Sequence, residues 1–337
     1  MKILYKHISV SFIKTFIILI LLFSLVIVSS QLLHLPSFVY SMNIIDFLNI
    51  LTLLDISFIK FQLLFGFLIA WLLVGIKIRE NNEIYAIYSL GIDDKQLSKP
   101  TLVWTIIFTL VALIFSSIVV PYANRERAKF LTVKVKAYIM DSIQPKNFSK
   151  ISENVYVYVD EKKNNNFKNI ILHNRSNGFL ITAKNGHFYG NYIIFEDGYI
   201  QLPSKNSYNI LKFQKYSFNI DVSYVKEIAL EDLKISELVK TIPDNKNKII
   251  SILVDRLYFP IPFLFIGFIG FFMGLQFQKS RETLLSITAL IGMVYIILNY
   301  LFVKLTEKNI IFSILYLTIL ILFSLILYKI SKNKKVI

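Results

Sequence analysis

Apolar positions crowd the chain six times, each time in a run broken by few or no charges. Phe16 to Leu33, Phe61 to Ile76, Leu102 to Val120, Leu257 to Phe277, Thr283 to Val303 and Ile310 to Tyr328 each come close to the ~20 residues with which a helix crosses ~30 Å of hydrocarbon. The pattern predicts six transmembrane helices in two blocks of three. The second run is short, so its helix is expected to start earlier, with Lys60 snorkelling to the interface. The first is longer than the ~7 to 15 apolar residues of a signal peptide and no small-x-small site follows it, so it reads as a membrane helix.

Between the blocks the period changes. Pro121 to Met140 carries Arg, Glu and Lys and reads as a helix continuing out of the membrane. After it, Val155, Val157 and Val159 alternate with Tyr156 and Tyr158, and Tyr216, Phe218, Ile220 and Val222 with Ser217, Asn219 and Asp221. Such alternation marks strands with two unlike faces. Asn177-Gly178, Asn185-Gly186 and Asp197-Gly198 lie between β-rich runs and supply the positive φ angles of tight hairpins, which predicts an antiparallel meander or jelly roll. Its strands are rich in Tyr, Phe, Ile and Val, so it either closes as an ordinary sandwich core or holds something apolar between layers. Phe188, Tyr192 and Phe218 are the candidates for lining such a space.

Charge gives the arrangement a direction. A net charge of +15 in a soluble protein would point to nucleic acid, but here the basic residues belong to loops. One set of helix flanks carries Lys2, Lys6, Lys14, Lys77, Arg79, Lys95, Lys99, Lys279, Arg281, Lys329, Lys332, Lys334 and Lys335; the other carries Lys60, Lys304 and Lys308. Short cytoplasmic loops collect Lys and Arg, so both termini are expected in the cytoplasm and the middle of the chain outside. No nucleic-acid partner is implied. The expected fold class is an α-helical membrane protein of six transmembrane helices with an inserted periplasmic β-jelly-roll-like domain. Residues 1–120 hold helices one to three, 121–248 the β-rich domain and 249–337 helices four to six.

Candidate chemistry changes the picture little. With no cysteine, and with His7, His34, His173 and His187 never at i, i+4 spacing, metal sites and thiol chemistry are not expected. No G-x-x-x-x-G-K-[ST], H-E-x-x-H or G-x-S-x-G run occurs, so neither catalysis nor a cofactor is expected of this chain. Gly267, Gly270 and Gly274 stand at the spacing that lets helices approach closely, although bending or lipid exposure would use them too.

The loop between helices two and three is the most informative segment. Ile84, Ile87, Tyr88 and Leu90 with Glu80 and Glu83 make a short amphipathic helix over about 80–91, and Gly91 is placed to end it. That shape suits docking into a groove on a partner, or a solvated interfacial turn. Within it, Glu83-x-x-Ala86-x-x-Ser89-x-Gly91-Ile92 resembles the E-x-x-A-x-x-x-x-G-[IV] coupling-helix motif of the LptF/LptG family of lipopolysaccharide export permeases. Pro121 and Ala123 resemble the P-x-A exit of that family's third helix, Arg256 with Pro260 and Pro262 resembles the R-x-x-x-P start of its fourth, and the layout of three helices, domain and three helices spans the chain. Phe195-Glu196-Asp197-Gly198 is similar to the LptF branch. The second half of helix one lacks the lysine that some members carry there and offers His34.

The resemblance implies a permease that extracts lipopolysaccharide from the inner membrane without chemistry of its own. Implied partners are a homologous permease subunit, a cytoplasmic LptB-like ATPase dimer, and a periplasmic bridge or membrane-anchored β-domain protein like LptA or LptC. Glu83, Ala86, Tyr88 and Gly91 would couple to the ATPase. His34, Lys60, Arg256 and Lys304 are candidates for lipid contact, the three cations either through a phosphate or merely as interface anchors and acid partners. The alternative from another class is a non-transporting scaffold whose β-domain binds envelope proteins.

Overall fold

The computed structural model describes residues 2–35, 39–40, 42–151, 154–163, 166–189, 192–203, 208–219, 229–241 and 245–333. Two compact units divide the chain, one of Met1–Leu35, Ile44–Glu126 and Ile228–Ile337, the other of Pro36–Asn43 and Arg127–Glu227. Residues 228–248, expected with the β-rich domain, therefore group with the helices.

The helical unit is built from α1 (Lys2–Leu32), α2 (Ile44–Glu80), the short α3 (Glu83–Ser89) and α4 (Asp94–Leu97), α5 (Lys99–Ile114) and the start of α6 (Val120–Ser142). After the insert come α7 (Ile235–Lys240), α8 (Lys246–Tyr258), α9 (Phe263–Gln276), α10 (Arg281–Lys308) and α11 (Ile311–Asn333). Lys2–Leu32, Ile44–Glu80, the run Asp94–Lys134 and Arg281–Lys308 are each long and apolar enough to cross a membrane, and α8 with α9 makes a fifth span if that bent pair is one. The sixth expected span falls in α11, whose Ile311–Leu322 is a shorter apolar helix. Among the described residues, length and composition thus support up to five spans.

Helix boundaries differ from the hydropathy reading where polar residues are internally paired. α2 begins at Ile44, before Phe61 as expected, and carries its polar residues in pairs, Asp55 accepting from Gln62 at 2.6 Å and Lys60 meeting Asp255 at 2.9 Å. The fourth expected helix is two. Pro260 lacks an N–H and its ring opposes the carbonyl a turn earlier, so the chain breaks between Tyr258 and Phe263 with a bend of 41°. Pro121 is accommodated differently. A π turn at Phe115–Val119, closed by Val120 N–H on the Phe115 carbonyl, widens the helix just before the proline, and α6 continues through it to Ser142. The helix expected over Pro121 to Met140 is there.

Three glycines of α9 decide how the core closes. A Cβ on Gly270 would lie 2.5 Å from the Leu68 carbonyl oxygen, and one on Gly274 2.2 Å from that of Leu72. Gly75 of α2 reciprocates, its absent Cβ being 2.3 Å from the Phe271 carbonyl. Of the three readings of these glycines, close helix approach is what the structure contains. Around this contact Phe12 stacks on Trp71 at 4.4 Å and Phe67 on Phe108 at 4.7 Å.

The other unit holds one antiparallel sheet of six strands in chain order, β1 (Phe148–Lys150), β2 (Val155–Lys163), β3 (Asn166–Asn174), β4 (Leu180–Tyr189), β5 (Tyr192–Pro203) and β6 (Tyr208–Asn219). Among the described residues this is the meander, not the two-layered jelly roll. Ile220, Asp221 and Val222 lie outside the described residues. Val155, Val157 and Val159 are buried as their alternation demands.

Of the three expected hairpin pairs, one turns. Gly178 has φ +70° between β3 and β4. Asn185-Gly186 and Asp197-Gly198 lie inside β4 and β5, where Gly186 faces Phe195 and Gly198 faces Phe213. The buried residues of β3, β4 and β5 step by three there, from Phe167 to Ile170, Ala183 to Gly186 and Phe195 to Gly198. The pairing skips Asn169, Lys184 and Asp197 on neighbouring strands, and Asn169 and Asp197 have φ of 48° and 54°. Short polar side chains tolerate that conformation. The line of skipped residues shifts the phase of β3, β4 and β5 together and keeps the same face inward. The expected positive φ occurs at Asp197, in a kink instead of a turn, and at neither Asn185 nor Gly186.

Candidate functional site

The loop after α2 folds into a short helix anchored on its own bundle. Ile84 and Ile87 of α3 are buried in the helical core, so the groove expected on a partner for these two side chains is supplied by the chain itself. Tyr85, Ala86, Tyr88, Ser89 and Leu90 remain exposed. Gly91 has φ +75°, its N–H bonds to the Tyr88 carbonyl at 2.9 Å and that of Ile92 to Ile87 at 3.4 Å. These two bonds close the helix as a Schellman cap with glycine at the left-handed position.

Neighbouring contacts stiffen the loop. Tyr88 donates its hydroxyl to Asp94 at 2.6 Å, and burial followed by that carboxylate pushes the phenol's pKa up, so it stays a donor. Asp93 caps α4 through Gln96 N–H at 2.8 Å. Arg79, at the end of α2, donates to the carbonyls of Phe277 and Lys279 in the α9–α10 connection. Glu83 accepts from Asn81 at 3.0 Å and stands 3.8 Å from His7 of α1. The α3 surface is thus carried by a frame that reaches α1, α2 and α9.

A second constellation lies within the helices, and the sequence singles out only its Lys60 as a candidate. Lys60, expected as an interface anchor, donates to Asp255 Oδ2 at 2.9 Å and lies 5.2 Å from the ring centroids of both Phe61 and Phe259. Asp255 Oδ1 accepts from Asn299 at 2.7 Å, and Asn299 accepts from Tyr316 at 2.7 Å. The signal that could have found it is the presence of Lys60 and Asp255 in otherwise apolar helices, where an ionisable residue needs a partner.

The remaining lipid candidates are scattered. Arg256 is buried, and its guanidinium grips the carbonyls of Glu231 at 2.6 Å and Leu233 at 2.8 Å. Through these contacts the side chain ties a returning turn to α8. His34 sits at the exposed end of α1 on the Ser30 carbonyl at 3.0 Å, and Lys304 pairs with Glu307 at 3.5 Å on the surface of α10. In the sheet, Phe188 is in β4 across from Ile193, Tyr192 is exposed, and the Phe218 ring lies 5.6 Å from that of Phe179. They form no single cluster among the described contacts. No group of three or more His, Asp or Glu side chains suited to a metal occurs among the described residues.

The model of the family described as lipopolysaccharide export system permease LptF/LptG matches residues 2–332. The chain belongs to the LptF/LptG family. It is therefore a multi-pass inner-membrane protein with an inserted β unit. The uncharacterized protein RP871 of Rickettsia prowazekii (strain Madrid E) is 29% identical over 160 residues, which cover 46% of this chain and 44% of that relative. The alignment thus spans less than half the length of the curated relative. Glu83, Ala86 and Gly91, whose spacing resembles a motif of that family, fall in α3 and its cap, and Arg256, Pro260 and Pro262 lie at the end of α8 and in the α8–α9 break.

Proposed function

We propose that this chain is the transmembrane permease subunit of an ABC-type exporter that extracts lipopolysaccharide from the inner membrane and hands it to a periplasmic bridge. ATP is hydrolysed on a separate cytoplasmic LptB-like dimer, a homologous permease subunit completes the cavity, and an LptC- or LptA-like protein receives the lipid. The observation that carries the reading is the family match over nearly the whole chain together with α3, a short helix fastened to the bundle by Ile84 and Ile87 while Tyr85, Tyr88 and Leu90 face outward and Glu83 is half-buried. In this reading closure of the ATPase pushes α3, and Arg79 and the core transmit the push to α2 and α9. The LptF-like assignment from Phe195-Glu196-Asp197-Gly198 belongs to the same proposal, and the paralogue that co-purifies decides it.

Topology is the first test. Loop charges put the termini in the cytoplasm and the β unit in the periplasm, so a reporter fused after Ile200 should register as periplasmic and one after Ile337 as cytoplasmic. A cytoplasmic signal from the Ile200 fusion would overturn the proposal.

Glu83 provides the second test. Within the chain its contacts are partly exposed, and such a pair contributes only about 0 to 1 kcal/mol, so Glu83→Ala should leave the protein folded and inserted. Against a partner's arginine the carboxylate would be desolvated, and breaking such a pair from one side costs on the order of 3 to 5 kcal/mol. Glu83→Ala should therefore weaken ATPase association by roughly 100-fold or more, whereas Glu80→Ala should do much less. Wild-type association, ATPase rate and lipid release in Glu83→Ala would bring the scaffold reading forward.

A further inference from the structure

We propose that Asp255 is a positioning residue at the centre of an ionic latch, which clasps α2 to α8, α10 and α11 and must open for lipid to pass. The transport part rests on the permease reading; the latch itself rests on helix geometry. Both carboxylate oxygens of Asp255 are used, Oδ2 by Lys60 of α2 and Oδ1 by Asn299 of α10, and Asn299 in turn holds Tyr316 of α11. Four helices are joined by one chain of hydrogen bonds, and every member has a partner. Satisfied networks of this kind rigidify what they join.

Two features distinguish a clasp from a permanent rivet. The Lys60 and Asp255 side chains are 17% and 28% exposed, so the ions are accessible enough to separate without the full cost of stranding a charge in a dry core. The phenylalanine rings, each with its centroid 5.2 Å from the ammonium, give Lys60 cation–π contacts independent of Asp255. Asp255 also lies three residues before the end of α8, next to the proline break that bends the α8–α9 pair by 41°. A break of this type absorbs rotation at a few backbone positions. α8 can thus swing about the Tyr258–Phe263 break when the Lys60 contact releases. Tyr295, donating to the Phe259 carbonyl at 2.8 Å, keeps the pivot attached to α10.

The absence of native cysteine makes the test clean. In the full transport complex in proteoliposomes, Lys60→Cys and Asp255→Cys are combined and bridged with a reducible bis-methanethiosulfonate whose span matches the lost side chains. Bridging should slow lipid release by about tenfold or more, as for other gated steps, and reduction should restore the unbridged rate. A monofunctional methanethiosulfonate should not reproduce the block. In parallel, Asp255→Lys alone should impair release and the swap of Lys60→Asp with Asp255→Lys should recover it, a rescue that a merely space-filling role would not show. Release at the unbridged rate in a fully bridged sample would overturn the latch while leaving the permease reading intact, and so would thiols that cannot be bridged. If the unsubstituted complex releases no lipid, the permease reading fails and the gating role falls with it.

Discussion

Gly274→Leu is expected to cost the helical unit more than about 3 kcal/mol, beyond the ~1 to 3 kcal/mol typical of an overpacked core. The atoms that an added Cβ would meet are the Leu72 carbonyl oxygen at 2.2 Å and the Ile76 nitrogen at 2.8 Å. Both belong to backbone, which cannot rotate aside, so α2 and α9 must move apart. Separation also loosens Gly75 against the Phe271 carbonyl and Gly270 against Leu68, because all three contacts share one interface. In lipid no hydrophobic drive compensates, since tails are as apolar as the side chains, and what is lost is dispersion contact between close-packed helices. Against a total stability of ~5 to 15 kcal/mol, the detergent-solubilised variant should lose most of its monodisperse fraction and unfold at markedly lower temperature. Gly91→Ala is the comparison: φ is +75° but nothing lies within 4 Å of the added Cβ, and the expected cost is only about 1 to 2 kcal/mol. Equal thermal stability of Gly274→Leu and the wild type would mean that α2 and α9 do not meet through these glycines.

The comparison also separates what a sequence can disclose from what it cannot. Gly267, Gly270 and Gly274 announced a small surface on α9, but nothing local named α2 as the helix that would fill it. Gly91 was different, because a helix cap is a matter of four or five consecutive residues, and its place after Leu90 was legible. Ile84 and Ile87 read as apolar from the sequence, and the structure buries them in their own helical core. A seven-residue helix shows its amphipathic side without showing whether that side faces its own bundle or another protein.

In the membrane helices the hydropathy signal weakens where polar residues satisfy each other, within one helix or across the fold. Asp55 with Gln62 shortened the apparent second span, while the partner of Lys60 lies 195 positions away. No window can reveal such a pair, although two ionisable residues in apolar surroundings pose the question. The sheet failed for a related reason. Asn-Gly and Asp-Gly report backbone tolerance for positive φ, and a kink line shared by adjacent strands uses the same tolerance as a hairpin. Only pairing between strands distinguishes the two, and it is visible at Asp197, whose φ of 54° occurs one residue before the glycine expected to need it.

Arg256→Ala is expected to release the turn at Leu230–Asp232 and the segment that follows, at a cost of about 3 kcal/mol or more. Hydrogen bonds from a charged donor are worth roughly 1.5 to 3 kcal/mol each, and Arg256 makes two through one nitrogen, to the Glu231 and Leu233 carbonyls. The position is fixed from the other side, because Ser116 in the π turn donates to the Arg256 carbonyl at 2.9 Å. Truncation therefore removes a clamp between three segments instead of a surface charge. Arg256→Lys should lie between, since an ammonium keeps the charge but lacks the planar donor array of a guanidinium. Arg256→Met preserves the stem and isolates the polar loss. α7 should stay in place in all three variants, because Arg125 holds Glu237 through a two-pronged pair with contacts of 3.0 and 3.1 Å. The change should thus be local, and trypsin, which can cut after the exposed Lys234, reads it directly. Cleavage there should accelerate in Arg256→Ala and Arg256→Met, less so in Arg256→Lys, with the rest of the digestion pattern unchanged. If the site stays as protected in Arg256→Met as in the wild type, the guanidinium does not hold the turn, and a contact with an anionic lipid headgroup becomes the better account of that charge.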